Sequence, residues 1–207
     1  MSELKLKVCG MREVDNIAAL KSLTPDYMGM IFWSGSARYV TTPIASTDEP
    51  FERVGVFVDA QESEIKKAIE THQLDLLQLH GKESPESCAQ LEQIRPVIKA
   101  FSVGPSFDFQ QLHAYEDSCS YFLFDTQGPL PGGNGKGFDW TLLEDYPSKK
   151  PFFLSGGIGP ESIPAIKKLQ NSSLPLYAID VNSKFEIAAG VKNIPLLQQF
   201  KKECNVV

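Results

Sequence analysis

Residues 151–162, PFFLSGGIGPES, pass from an apolar run through two glycines to a proline that opens a helix-like segment. An apolar run without polar alternation suits a strand covered on both faces. Pro160 is tolerated in a first helical turn, where its missing N–H has no partner to lose. The stretch reads as a strand, a tight turn and the start of a helix. Whether that unit recurs decides the fold.

It recurs along the whole chain. Strand-like runs rich in β-branched and aromatic residues occur eight times: LKLKVCG, YMGMIF, RVGVFVD, LDLLQLH, PVIKAFS, YFLFDT, PFFLSGG and LYAIDVN. Helix-like segments separate them: REVDNIAALKSL, AQESEIKKAIETH, ESPESCAQLEQI, FDFQQLHAYED, FDWTLLEDY and PESIPAIKKLQ, with NIPLLQQFKKEC after the last strand. In ESEIKKAI the apolar Ile65, Ala68 and Ile69 recur at helical spacing, with Glu and Lys on the other side. The exception follows the second strand, where RYVTTPIASTDEPFERVG holds two prolines and several Ser and Thr residues. That crossover is expected to be a loop or a single turn.

Eight such units predict a small α/β protein, a (β/α)8 TIM barrel forming one domain over residues 1–207, with the crossover after strand 2 reduced to a loop. The length lies near the lower end of the roughly 200 to 400 residues that such barrels span, so short loops and trimmed helices are expected. An open doubly wound sheet is compatible with the same alternation. The number of units and the polar residues at several strand ends favour the barrel.

Composition narrows the function classes. Apolar residues make up 42% and charged residues 22%, the balance of a folded globular chain. A net charge of −6 and a pI near 5.1 supply no basic footprint for nucleic acid or an anionic membrane surface. The N-terminal MSELKLKVCG has no signal-peptide pattern, and no apolar run reaches membrane-spanning length, which predicts a cytoplasmic protein. Cys9, Cys88, Cys119 and Cys204 form no CxxC pair, and His72, His80 and His113 show no ligand spacing. Disulfides and a structural metal are therefore not expected.

In a barrel, reacting groups come from the carboxyl ends of the strands, and phosphate commonly binds at the loops after strands seven and eight. On strand one, Lys5, Lys7 and Cys9 share one face and Leu4, Leu6 and Val8 the other. Helices cover the outside, so Lys7 and Cys9 should point inward. Cys9 is then either a small buried hydrophobe or a reactive thiol whose pKa Lys7 lowers. Lys7 needs a partner to be buried, and Asp180 on strand eight, adjacent to strand one in a closed barrel, is the candidate.

Asp125 ends YFLFDT and is followed by the glycine-rich TQGPLPGGNGKGFDW rather than a helix start, which favours a general acid over a cap. GGNGKG fails the P-loop pattern at Leu130 and Gly137 and reads better as a lid over a small substrate. LSGGIGPES and DVNS offer backbone N–H groups around Gly156, Gly157 and Ser183 to a phosphate. Arg38 in SARYV suits a second anionic group such as a carboxylate. His80 in LQLHG points the same way as Gln78 and either hydrogen-bonds substrate or completes the barrel lining.

With these residues assembled, the chain resembles the phosphoribosylanthranilate isomerase family. The motifs are KVCGMR, SARYV, VGVFVD, LQLHG, FDTQG with GGNGKGFDW, SGGIGPESI, and AIDVNS with GVKN, in order over nearly the whole chain. The resemblance implies an Amadori rearrangement of N-(5-phosphoribosyl)anthranilate to 1-(2-carboxyphenylamino)-1-deoxyribulose 5-phosphate, a step of tryptophan biosynthesis that calls for no cofactor or metal. It implies Asp125 as general acid and Cys9 as general base. Arg38 would hold the anthranilate carboxylate and Gly156, Gly157 and Ser183 the phosphate; His80 and Asp180, taken from the strand ends, are added as substrate-binding candidates. The expected partner is a small phosphosugar, and monomer and homodimer are both compatible with the sequence.

Departures from the family pattern are Ala37 in place of a frequent Pro, GGNGK for GGTGK, and NSKFE for SSGVE. Two other readings compete. A histidine-pathway isomerase on the same barrel would carry Asp where Cys9 stands. A non-catalytic phosphosugar-binding barrel would have no use for both Cys9 and Asp125.

Overall fold

The computed structural model describes residues 3–44, 49–128 and 137–204. Eight parallel strands close into a barrel in sequence order. They are β1 (Lys5–Val8), β2 (Tyr27–Ile31), β3 (Glu52–Phe57), β4 (Leu76–Leu79), β5 (Val97–Val103), β6 (Tyr121–Thr126), β7 (Phe152–Leu154) and β8 (Leu176–Val181). Closure is direct, because β1 pairs with β8 with Lys7 beside Asp180. The open-sheet alternative is excluded.

Helices α1 (Val14–Leu20), α2 (Glu62–His72), α3 (Pro85–Glu92), α4 (Ile163–Gln170) and α5 (Ile194–Cys204) cover the outside. Pro160 opens a 3₁₀ turn that leads directly into α4. On α2, Ile65 and Ile69 are buried. The outer core lies between strands and helices and includes Leu4, Leu6 and Val8, so β1 faces as its alternation requires.

The segments after β5 and β6 are 3₁₀ helices, Phe109–Tyr115 and Trp140–Asp145, rather than α-helices. Their apolar spacing explains this. Phe109, Leu112 and Tyr115, and likewise Trp140, Leu143 and Tyr146, recur every third residue, the repeat at which 3₁₀ side chains eclipse. Asp108 and Asp139 cap the two turns by accepting from Gln110 N and Thr141 N.

The described part of the crossover after β2 contains no helix. Val40, Ile44 and Phe51 are buried there and join the outer core. Residues 45–48 of that crossover, and residues 129–136 of the glycine-rich segment read as a lid, lie outside the described residues.

Inside the barrel a second core gathers Tyr27, Val54, Leu76, Ile98, Ala100, Leu123, Phe153 and Ala178. Tyr121 and Tyr177 pack against it, stacked with ring centroids 4.9 Å apart, and the Tyr27 and Tyr177 hydroxyls meet at 2.8 Å. This aromatic layer fills the N-terminal half of the interior. Two residues further along the strands the same inward face becomes polar.

Candidate active site

The inward positions that follow the apolar layer are Lys7 on β1, Gln78 on β4, Asp125 on β6 and Asp180 on β8, all 5% exposed or less. Two-residue alternation dictates this, since Asp125 follows Leu123 and Asp180 follows Ala178 on one strand face. Above them opens a cavity of about 240 Å³. Cys9, Arg38, His80 and Asp125 line it, and so do Gly156, Gly157, Asp180 and Ser183. The structure thus brings the residues expected to act on or bind substrate to one cavity, with Lys7 buried beneath them.

Lys7 is the hub. Its Nζ donates to Asp180 Oδ2 at 2.9 Å and to Gln78 Oε1 at 2.6 Å. The pairing with Asp180 is the one expected from strand adjacency, and Gln78 is an added partner. Burial pushes the Asp180 carboxyl up, against the pull of Lys7. Its second oxygen, Oδ1, is buried and has no hydrogen-bond partner. That free acceptor lies on a residue lining the cavity.

Cys9 lies in the field of Lys7, yet burial governs it. Its thiol is pushed up from the ordinary value, because burial outweighs the downward pull of Lys7 and of Lys192. Lys7 does pull the thiol down, as its place on the same strand face suggested, but the desolvation of the thiolate is the larger effect. Gly29 on β2 makes room for this side chain, since a Cβ there would lie 2.7 Å from Cys9 Sγ.

Asp125 Oδ1 accepts from Thr126 N at 2.8 Å, and Oδ2 lies 3.2 Å from His80 Nε2. His80 Nδ1 in turn lies 2.8 Å from Gln78 Nε2. His80 therefore does belong to the lining network, and it also borders the cavity.

Arg38 is held by a residue that the sequence reading missed. Glu186 accepts from Arg38 Nε at 2.8 Å and from a terminal guanidinium nitrogen at 2.6 Å. It also accepts from Lys192 Nζ at 2.7 Å and from Gly190 N at 3.1 Å. Burial opposes ionisation of Glu186, but these donors win and hold its carboxyl at about 2. Only part of the guanidinium fork is used, so N–H groups remain for a ligand carboxylate. Glu186 starts a short hairpin, β9 (Glu186–Ala188) with β10 (Val191–Lys192). No motif announced that role, although GVKN contains Lys192.

Gly156 and Gly157, at φ of 92° and 64°, take the left-handed conformation between β7 and α4. Among the described residues no protein acceptor engages their N–H groups. Where the chain reads NSKFE, Phe185 is buried against Phe200 at 4.8 Å, and Lys184 reaches Glu161 at 3.3 Å. That ion pair ties the loop after β8 to the loop after β7.

These features define an enzyme of the (β/α)8 class, with titratable groups and anion-facing loops gathered at the C-terminal mouth. Comparison with known proteins is specific. Residues 6–203 match the model of the N-(5'phosphoribosyl)anthranilate (PRA) isomerase family, and the chain belongs to that family. It is 43% identical to the N-(5'-phosphoribosyl)anthranilate isomerase of Parabacteroides distasonis, over 94% of this chain and 90% of that one. The corresponding enzyme of Phocaeicola vulgatus is 40% identical over 94% and 95%. Among solved structures, the phosphoribosyl anthranilate isomerase of Thermotoga maritima superposes with a TM-score of 0.83 at 28% identity, over 99% of this chain and 100% of that one. A phosphoribosyl anthranilate isomerase in complex with reduced 1-(o-carboxyphenylamino)-1-deoxyribulose 5-phosphate gives 0.80 at 26% identity, over 99% and 100%.

Proposed function

We propose that this chain isomerises N-(5'-phosphoribosyl)anthranilate to 1-(2-carboxyphenylamino)-1-deoxyribulose 5-phosphate in tryptophan biosynthesis, with Asp125 as general acid and Cys9 as general base. The observation that carries the assignment of roles is that a carboxyl from β6 and a thiol just past the end of β1 face one cavity whose rim also holds Arg38 and the two glycines. Asp125 gives its proton to the ribose ring oxygen as the C1–O bond breaks, leaving a Schiff base. The Cys9 thiolate then takes the C2 proton, and the resulting enolamine tautomerises to the ketone. Lys7 and Lys192 are the cations that favour that thiolate against its burial.

Arg38 holds the anthranilate carboxylate, with Glu186 fixing the opposite edge of the guanidinium. The N–H groups of Gly156, Gly157 and Ser183 take the phosphate, and Asp180 Oδ1 accepts from a substrate hydroxyl. The chain works as one barrel domain over residues 1–207, as a monomer or homodimer in the cytoplasm. Four unpaired cysteines support a reducing compartment. No helix among the described residues is long and apolar enough to cross a membrane.

The test follows the loss of anthranilate-type fluorescence when purified protein meets freshly generated substrate. Rapid decay by the wild type is expected, with Cys9→Ala and Asp125→Asn each slowed by about 10²–10⁴-fold while still folded. Wild-type rates in either folded variant would remove that residue from the chemistry.

A further inference from the structure

The polar row inside the barrel has a direction, fixed at one end by an ammonium. Lys7 Nζ can only donate, so the Gln78 atom 2.6 Å away is the carbonyl oxygen. The amide nitrogen of Gln78 must then face the other way, where it lies 2.8 Å from His80 Nδ1. An amide N–H also only donates, so Nδ1 accepts and carries no proton. The single ring proton of neutral His80 is left on Nε2, which lies 3.2 Å from Asp125 Oδ2. Lys7 and Gln78 are 0% and 1% exposed, so water does not compete for these bonds.

We infer that Lys7 and Gln78 lock His80 in its Nε2–H tautomer, and that His80 thereby acts as a positioning residue for Asp125, donating to Oδ2 as the carboxyl loses its proton. The inference rests on the acid role given to Asp125 above. Nε2 makes no hydrogen bond despite its proximity, while Oδ1 already accepts from Thr126 N. The His80 bond therefore closes with a small turn of either side chain and strengthens as negative charge develops on Asp125. A donor that binds the transition state better than the ground state lowers the barrier. The opposite tautomer would turn a lone pair toward the carboxylate. The transferred proton passes from Asp125 to the ring oxygen, and His80 keeps its own proton throughout.

The first readout is independent of turnover. With ¹⁵N-labelled histidine, NMR of the full-length protein at neutral pH should show His80 as the Nε2–H tautomer, its signals identified by their loss in His80→Gln. Gln78→Glu preserves the pairing with Lys7 but presents only acceptors to Nδ1, so the Nε2–H pattern should disappear. Kinetics supply the second readout. His80→Met should lower kcat by about tenfold to a hundredfold, the scale of a hydrogen bond to a charged group, with KM little changed. His80→Gln, whose amide can return an N–H to the same place, should recover most of that loss, and His80→Met should add nothing in an Asp125→Asn background.

An Nδ1–H tautomer in the wild type, or equal kcat in the Met and Gln variants, would overturn the inference. A loss confined to KM would assign His80 to substrate binding instead and overturn it as well. Wild-type turnover by Asp125→Asn would overturn the acid assignment while the tautomer remained measurable, so the two failures are separable.

Discussion

The two halves of the barrel interior are built on the same strand faces and differ in every physical respect. The N-terminal half is aromatic, with Tyr27, Tyr121, Phe153 and Tyr177 touching edge and face. The C-terminal half is ionic, with Lys7 bound to Asp180 and Gln78, and His80 beside Asp125. One half stabilises by burying rings. The other keeps charges out of water and spends stability on holding them there, because a buried ion pair repays its desolvation only with good geometry and added hydrogen bonds. The closed sheet holds such a layer above an apolar layer that is already packed.

Breaking the ionic half at its hub should have the largest effect. Lys7→Met strands Asp180 without its counter-ion, and truncating one partner of a buried pair costs about 3–5 kcal/mol. It should also raise the apparent pKa of Cys9 further, since a cation that favours the thiolate is gone. The thiolate fraction grows with pH, so the acid limb of the kcat profile should move to higher pH. Denaturant titration and thiol alkylation against pH check both parts, and an unshifted Cys9 titration would remove Lys7 from its control.

Phe153→Ala attacks the aromatic half. Its ring is 0% exposed, and its loss should cost about 3–5 kcal/mol of stability. The folded variant should nevertheless keep wild-type kcat and KM. A large kinetic defect with intact folding would show that the two halves are coupled.

A smaller effect should appear at the rim, where Glu186 titrates at about 2 in the fold against an ordinary 4.5. A carboxyl held low contributes stability that is complete above its unfolded pKa and fades as pH falls toward its folded one. The advantage of wild type over Glu186→Gln should therefore shrink between pH 4.5 and 2, read by acid unfolding of both proteins. A constant difference across that window would mean that Glu186 acts through packing alone. The smallest change is expected for Tyr27→Phe, which removes the 2.8 Å hydroxyl contact with Tyr177. It should cost about 0.5–1.5 kcal/mol in denaturant titration and leave activity untouched.

What the sequence carried by itself was whatever depends on near neighbours in the chain. Continuous apolar runs, helical spacing on α2 and the proline before α4 defined the βα units, and two-residue alternation put Lys7 and Cys9 inside. Strand ends then marked Asp125, Asp180, the glycine pair and Ser183, and the ordered motifs pointed to the family. The every-third spacing of Phe109, Leu112 and Tyr115 was also present in the chain, although reading it as 3₁₀ needs the packing that rewards it.

Only the tertiary structure decided which groups meet. Glu186 and Arg38 are far apart in sequence, and no local pattern announces that a hairpin carboxylate will fix a guanidinium at the mouth. The bond from Lys7 to Gln78 needs the closed barrel, because it crosses the interior between β1 and β4. The direction of the Cys9 shift needs it too. A cation two residues away can be counted along the chain, whereas the larger opposing effect, desolvation, is set by how completely the surrounding strands exclude water from the thiol.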